Sequence, residues 1–260
     1  MFFTRKYKLA DGFSFLGVDM HNHVLPGLDD GAPDVKASLE LLSGLKALGF
    51  ERVVATPHTY MALYPNTPQT IEVAYNSLQE ALGAHGDPGT GADNPSGLAQ
   101  PGRYPQLIGY ASEYMIDDDF RKLRTDAPPL QIGQKRVLIE MSFADEAPML
   151  LDEVFQLQIH GYIPVLAHPE RYPYLFGNMH YFSKLISLGC ELQLNLLSLT
   201  DHYGKGPQKT ALELLHRRFY KWAGTDVHHM GHIDMLHQLL RSTRLMNKIV
   251  EYPFRNKGLV

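Results

Sequence analysis

Cysteine is almost missing from this chain. Cys190 is the only one in 260 residues, so no intrachain disulfide can form and no thiolate cage for a structural zinc can be built. That usage fits a reducing compartment, and a cytoplasmic protein is expected. Long apolar runs are lacking as well: nothing approaches the roughly 20 residues of a membrane-spanning helix. The basic start, Met1 to Lys8, runs into Asp11 and Gly12 without a continuous apolar stretch, so it does not read as a secretory signal. Nor is there a surplus of positive charge. With 24 Lys and Arg against 28 Asp and Glu the formal net charge is -4, which gives no broad basic surface and argues against nucleic acid as the partner. A cysteine phosphatase is excluded by spacing, because a C-x5-R loop starting at Cys190 needs Arg at a position held by Leu196.

What is present is enough apolar material, 44% of residues, for one large core, and a single domain over residues 1–260 is expected. Seven short segments rich in β-branched and other apolar residues recur near 15–20, 52–56, 106–111, 136–141, 163–167, 190–195 and 219–224. Between the first two, Ala37, Leu41, Leu45 and Leu48 repeat at helical spacing and Gly49 supplies a stop. Similar helical stretches fall near 70–82, 147–160, 179–188, 208–217 and 231–245. Strand and helix alternate, which predicts an α/β fold with a parallel sheet, closing as a barrel whose chemistry lies at the carboxyl ends of the strands. Residues 83–105 are dense in Gly, Pro, Asn and Asp and are expected to form a surface loop inserted into this pattern.

The strand ends carry the functional signal. The first ends in His21-Asn22-His23, an H-x-H whose imidazoles point the same way because a strand alternates its faces. The second is followed by His58, the third by Glu113; the fourth ends in Glu140, the fifth leads into His168-Pro169-Glu170-Arg171, and the last into Asp226-Val227-His228. Imidazole and carboxylate at six of seven ends predict a catalytic site for Mn, Fe or Zn. If Asp30, Glu113, Glu140 and Asp226 all coordinate, two divalent ions are about neutralised, whereas three leave about +2 to attract a phosphate monoester dianion. Three ions are therefore expected.

The ordered set D-M-H-N-H-V-L-P-G-L-D-D-G, V-A-T-P-H, L-I-E, A-H-P-E-R-Y and G-T-D-V-H resembles the polymerase-and-histidinol-phosphatase (PHP) superfamily. Within it, D-D-G after H-x-H and the Arg after H-P-E are similar to the bacterial metal-dependent protein-tyrosine phosphatases of capsule and exopolysaccharide gene clusters. The resemblance runs from about residue 17 to 230. It implies a distorted seven-stranded (β/α)7 TIM-like barrel with a trinuclear, manganese-type centre. The implied ligands are His21, His23, Asp30, His58, Glu113, Glu140, His168, Asp226 and His228, with Glu113 bridging two cations. It also implies hydrolysis of phosphotyrosine in the C-terminal tail of a bacterial tyrosine kinase. The matching mechanism has a metal-bridging hydroxide attacking phosphorus while Arg171 offers its planar donor fork to the phosphate.

Other residues carry less. Asp29 is expected either to cap the next helix or to orient a ligand. His229, His232 and His237 lie around the last helical pattern, and His160 ends an earlier one. Relatives often carry a further basic residue after D-x-H, which His229-Met230-Gly231-His232 lacks, so phosphate binding leans on Arg171, a histidine or Lys205. The rivals are a histidinol-phosphate phosphatase of the same superfamily, an amidohydrolase barrel, whose bridging lysine position is held here by Glu113, and a non-catalytic PHP-type module, against which the full ligand set speaks. Oligomeric state leaves no signal in the sequence.

Overall fold

A computed structural model of the chain describes residues 7–84 and 102–259. Among them are nine strands and eight α-helices. In chain order these are β1 (Val18–Asp19), α1 (Val35–Ala47), β2 (Arg52–Ala55), β3 (His58–Thr59), α2 (Pro68–Ala84), β4 (Gln106–Tyr110), β5 (Glu113–Met115), α3 (Asp118–Asp126), β6 (Arg136–Glu140), α4 (Leu150–Ile159), β7 (Ile163–Ala167), α5 (Met179–Ser187), β8 (Glu191–Asn195), α6 (Lys205–His216), β9 (Tyr220–Gly224), α7 (Met230–Leu240) and α8 (Thr243–Val250). Most of the strands are short apolar runs, and β6 (Arg-Val-Leu-Ile-Glu) and β7 (Ile-Pro-Val-Leu-Ala) are buried over most of their length. That is the composition of parallel strands covered on both faces.

Every registered strand pair is parallel. One sheet has the order β1-β2-β4 and the other β3-β5-β6-β7-β8-β9. The expected second and third strands are each followed by a further short strand: Thr56-Pro57 separates β2 from β3, and Ala111-Ser112 separates β4 from β5. Proline has no N–H to give a ladder, and the break is held by substitutes. Ser112 Oγ donates to the Pro57 carbonyl (2.8 Å), and the hydroxyls of Thr59 and Ser112 meet at 2.6 Å. At the opposite side the segments beyond β1 and β9 touch through a parallel bridge, Asn22 to Val227. His23 N–H donates to the Val227 carbonyl and Asp226 N–H to that of His21.

Two apolar clusters divide the core. The larger lies among helices and sheets; the smaller holds Val18, Val54, Leu138, Val165 and Trp222 from five different strands. Helix starts follow the capping rule: Asp34 accepts from Ala37 N–H (2.8 Å) before α1, and Asp117 from Phe120 N–H (2.8 Å) before α3. Helix α3 was not expected, because only Phe120 of Asp-Asp-Phe-Arg-Lys-Leu-Arg-Thr-Asp is buried and no apolar stripe marks it. The expected helix at 231–245 is two. Its buried positions step from Leu240 to Met246, out of helical spacing, and the chain turns at Arg241-Ser242 to bury Met246 and Ile249. Of the stretch 83–105, Gly83 and Ala84 belong to α2 and Tyr104 is buried. Residues 85–101 lie outside the described residues, and so does the expected loop.

Candidate metal centre

All the strand ends singled out above converge. His21 and His23 follow β1, His58 opens β3, Glu113 opens β5, Glu140 closes β6, His168 follows β7, and Asp226 and His228 follow β9. His21, His23 and Glu113 are fully buried; Asp226, His168 and Glu140 nearly so. Three overlapping groups have donor atoms close enough to share an ion: His21, His23, Glu113 and Asp226; His58, Glu113 and Glu140; and His23, His58 and His228. His21 Nε2 lies 3.0 Å from Glu113 Oε2 and 3.4 Å from Asp226 Oδ1, while His23 Nε2 lies 3.5 and 3.2 Å from the same two oxygens. His58 Nδ1 stands 3.2 Å from Glu113 Oε2 and 2.8 Å from Glu140 Oε1. Donors bound at about 2.1 Å to one ion sit about 3.0 Å apart at right angles and about 3.4 Å apart in a tetrahedron.

The orientation of the rings decides what those distances mean. His21 Nδ1 donates to Gln193 Oε1 (2.9 Å), His23 Nδ1 to Asp29 Oδ2 (2.7 Å), and His228 Nδ1 to the Asp226 carbonyl (2.9 Å). Each bond fixes the proton on Nδ1 and turns the Nε2 lone pair inward, the arrangement a metal-binding histidine needs. Several inward atoms then have no hydrogen bond at all among the described residues: His21 Nε2, His23 Nε2, His58 Nδ1 and Glu113 Oε2. Buried polar atoms left unpaired are expensive, and four of them facing one point form a cradle for a cation. The donor set fits divalent ions.

Charge tells the same story. Burial opposes ionisation of Glu113 and Asp226, but His21 above all holds both carboxyls well below the usual range. Burial likewise opposes charge on His58, and Glu140 overrides it, pushing the imidazole up to about 9. The carboxylates thus demand positive charge, and divalent cations held by these residues would supply it in place of protons.

Two expected ligands adjoin the three groups. His168 Nε2 meets Glu113 Oε1 at 2.9 Å, so the two oxygens of Glu113 face different partners, as a bridging carboxylate must. Asp30 has a side chain 57% exposed, with Oδ1 at 3.5 Å from His228 Nε2 and 3.7 Å from His58 Nε2. It stands on the rim. Asp29 does not cap α1, since Asp34 does; it orients His23 and also accepts from the backbone N–H groups of His58 and Gly31 (both 2.9 Å). Gly31 is required there, because a Cβ would lie 2.3 Å from the His23 carbonyl oxygen. His168 and Asp226 adopt positive φ, 36° and 53°, a strained conformation that non-glycine residues keep where function demands it.

Arg171 Nη1 donates to Asp226 Oδ2 (2.7 Å), and its guanidinium lies between the rings of Phe143 (4.6 Å) and Tyr203 (4.1 Å). His232 Nδ1 accepts from His228 N–H (3.3 Å) and so supports the loop, and His229 packs beside it. Lys205 is exposed at the start of α6, lining a groove with Thr200 and His202. His237 lines another groove, beside α1, and His160 caps α4.

Residue reasoning missed Gln193, Asn195 and Asp19. Gln193 holds His21; Asn195 Nδ2 donates to Asp226 Oδ2 (2.8 Å); Asp19 accepts from Thr225 Oγ1 (2.6 Å) and Asn22 Nδ2 (3.1 Å). The signal was there in β8, where amides at every second position of a buried strand point one way.

The sequence profile described as "Capsular polysaccharide synthesis, CpsB/CapC" matches residues 17–88 and 108–248. The chain belongs to the CpsB/CapC family. It is 28% identical over 214 residues to the tyrosine-protein phosphatase YwqE of Bacillus subtilis, covering 82% of this chain and 78% of that one. To the tyrosine-protein phosphatase CpsB of Streptococcus pneumoniae it is 26% identical over 219 residues, 82% and 83% of the two chains. A chain from the crystal structures of YwqE from Bacillus subtilis and CpsB from Streptococcus pneumoniae, described as unique metal-dependent tyrosine phosphatases, superimposes with a TM-score of 0.76. That match has 24% identity and covers 93% of this chain and 91% of that one. This CpsB/CapC member therefore shares their fold.

Proposed function

We propose that this CpsB/CapC chain is a metal-dependent protein-tyrosine phosphatase, one catalytic domain over residues 1–260. The observation that carries the reading is the inward cradle of unpaired donors, His21 Nε2, His23 Nε2, His58 Nδ1 and Glu113 Oε2, in a chain whose relatives YwqE and CpsB are named tyrosine-protein phosphatases. His21, His23, Asp30, His58, Glu113, Glu140, His168, Asp226 and His228 are the proposed ligands, with Glu113 between ions. Three donor groups and the charge count favour three ions, manganese first and Fe or Zn next. We read the two sheets as arcs of one distorted seven-stranded barrel. The continuity of β2 with β3 and of β4 with β5, the Asn22–Val227 bridge and the inner cluster drawn from five strands support that reading.

Divalent ions bound here supply Lewis acidity and activate water for attack at phosphorus. The chain's own residues do the rest. Arg171 commits Nη1 to Asp226, and among the described residues Nε and Nη2 have no partner, so that edge is open to phosphoryl oxygens, in the bidentate manner arginine favours. Asp226 thereby couples the metal cradle to the phosphate clamp: Oδ1 faces the histidines, and Oδ2 takes Arg171 and Asn195. The phenol of a phosphotyrosine, with a pKa near 10, is a better leaving group than an alkyl alcohol, so an aryl ester asks less of a general acid. The proposed substrate is the C-terminal tyrosine-bearing tail of a cytoplasmic bacterial kinase domain in capsule or exopolysaccharide control. Among the described residues no helix is long and apolar enough to cross a membrane.

Assay of metal-stripped protein on a phosphotyrosine peptide tests this, with Mn, Fe, Zn or Mg restored singly. Activity is expected to vanish and return with metal, and Arg171→Ala to lower kcat/KM by about 100-fold or more. Turnover indifferent to chelation, or a strong preference for histidinol phosphate, overturns the reading. Full activity with one ion per chain overturns only the count of three.

A further inference from the structure

Glu140 closes β6, and three residues later the connecting segment places Phe143 beside the centre. Its ring lies 4.6 Å from the Arg171 Cζ, 5.7 Å from the His168 ring and 5.5 Å from the Tyr172 ring, with which it stacks at 28°. Arg171, His168 and the buried Tyr172 surround it, yet Phe143 stays 41% exposed. A phenyl ring left open forgoes part of the free energy of burial, and here the open ring adjoins the guanidinium with unpaired donors. The same guanidinium also rests on Tyr203 at 4.1 Å, whose hydroxyl is tied to Asn195 Nδ2 (3.3 Å). Two rings thus pack on Arg171, and of the two Phe143 is the exposed one.

In a phosphotyrosyl group a single ester oxygen separates phosphorus from the aromatic ring. A phosphate clamped by Arg171 brings that ring next to Phe143, where offset or edge-to-face packing is favourable. An alkyl phosphate has no flat apolar face to offer. Resting on the phosphatase reading above, we propose that Phe143 is a specificity-determining residue, packing against the aryl ring of the substrate while the phosphate is held by Arg171 and the histidine cluster. The contact selects aryl over alkyl monoesters through binding, without taking part in bond making or breaking.

Two competitive inhibitors separate this role from simple support of Arg171: phenylphosphonate, which carries the ring, and inorganic phosphate, which does not. In metal-loaded Phe143→Ala the Ki of phenylphosphonate is expected to rise about five- to ten-fold, the size of one aromatic contact. The Ki of inorganic phosphate should stay within about two-fold. The KM for p-nitrophenyl phosphate should rise with kcat little changed, and Phe143→Tyr, which keeps a ring, should restore both readouts. Being 41% exposed and outside the apolar core clusters, the position tolerates both changes without loss of fold. Equal rises for the two inhibitors would show that Phe143 only braces Arg171, and no rise for either would remove it from the site; both overturn the proposal. A wild-type enzyme that turns over no aryl phosphate with any restored metal overturns the phosphatase reading itself, a result distinct from either.

Discussion

Asp29 offers the sharpest test of how the cradle is held, because it touches the proposed ligands and belongs to none of the three donor groups. Its buried carboxylate accepts three N–H donors: His23 Nδ1 at 2.7 Å and His58 N at 2.9 Å on Oδ2, and Gly31 N at 2.9 Å on Oδ1. Burial opposes its charge, yet His23 above all holds the carboxyl well below the usual range. In Asp29→Asn a single oxygen remains for three donors, so at least one N–H faces an NH2, and each orphaned donor costs about 1–3 kcal/mol. In Asp29→Ala all three are orphaned, and His23 is free to rotate or change tautomer. Loss of a partner that orients a ligand typically lowers metal affinity about 10- to 100-fold, with Asn at the low end and Ala at the high end. Metal titration by calorimetry gives the affinity, and thermal unfolding of the metal-free protein gives the stability. At saturating metal the rate of Asp29→Asn should return to near that of the wild type, since the carboxylate touches no substrate in the proposed mechanism. Unchanged metal affinity, or a rate that stays low at saturation, refutes the assignment.

Three further outcomes follow from the packing. Cys190 is buried, and burial pushes its thiol up to about 12. A raised folded pKa contributes stability that is intact below the unfolded value near 8.5 and is lost as pH climbs toward 12, and a thiol reagent at pH 8 should label the chain only on unfolding. Glu153, fully buried, takes Arg121 at 2.8 Å and Arg124 at 3.0 Å; Glu153→Ala should cost about 2 kcal/mol in denaturant unfolding, because the half-exposed Arg121 can turn to water, with turnover intact. Gly31→Ala drives a Cβ into the His23 carbonyl and Cβ, so metal affinity should fall at least as far as in Asp29→Asn, read by the same titration.

The donors of the site were legible because their spacing is a strand property. H-x-H at the end of one apolar run, D-x-H after another, and single ionisable groups at the ends of four more follow from alternation of faces and the carboxyl-end rule. What could not be read was which donors share an ion, since that depends on how far neighbouring strands stagger. Asp30 and His168 belong to none of the three donor groups: one sits on the rim and the other on the far oxygen of Glu113. Among the fold elements, α3 stayed hidden because Phe120 alone is buried, and the α7–α8 break because a six-residue step between buried positions looks like continued amphipathicity until the helix is built.

The strand that supplies no proposed ligand explains how the rest are aimed. β8 ends in no imidazole and no carboxylate, which made it the exception among seven strand ends. Its Gln193 and Asn195 point to the same side and take hold of the centre at two points: Gln193 Oε1 accepts from His21 Nδ1, and Asn195 Nδ2 donates to the Asp226 oxygen that Arg171 also engages. Amides suit that task because they carry donor and acceptor without adding charge to a cluster whose carboxylates are already balanced against imidazoles. A carboxylate at 193 would add a negative charge on His21, whose other nitrogen already faces Glu113, and an apolar side chain would release the His21 tautomer. The neutral strand is therefore a requirement of the charged ones.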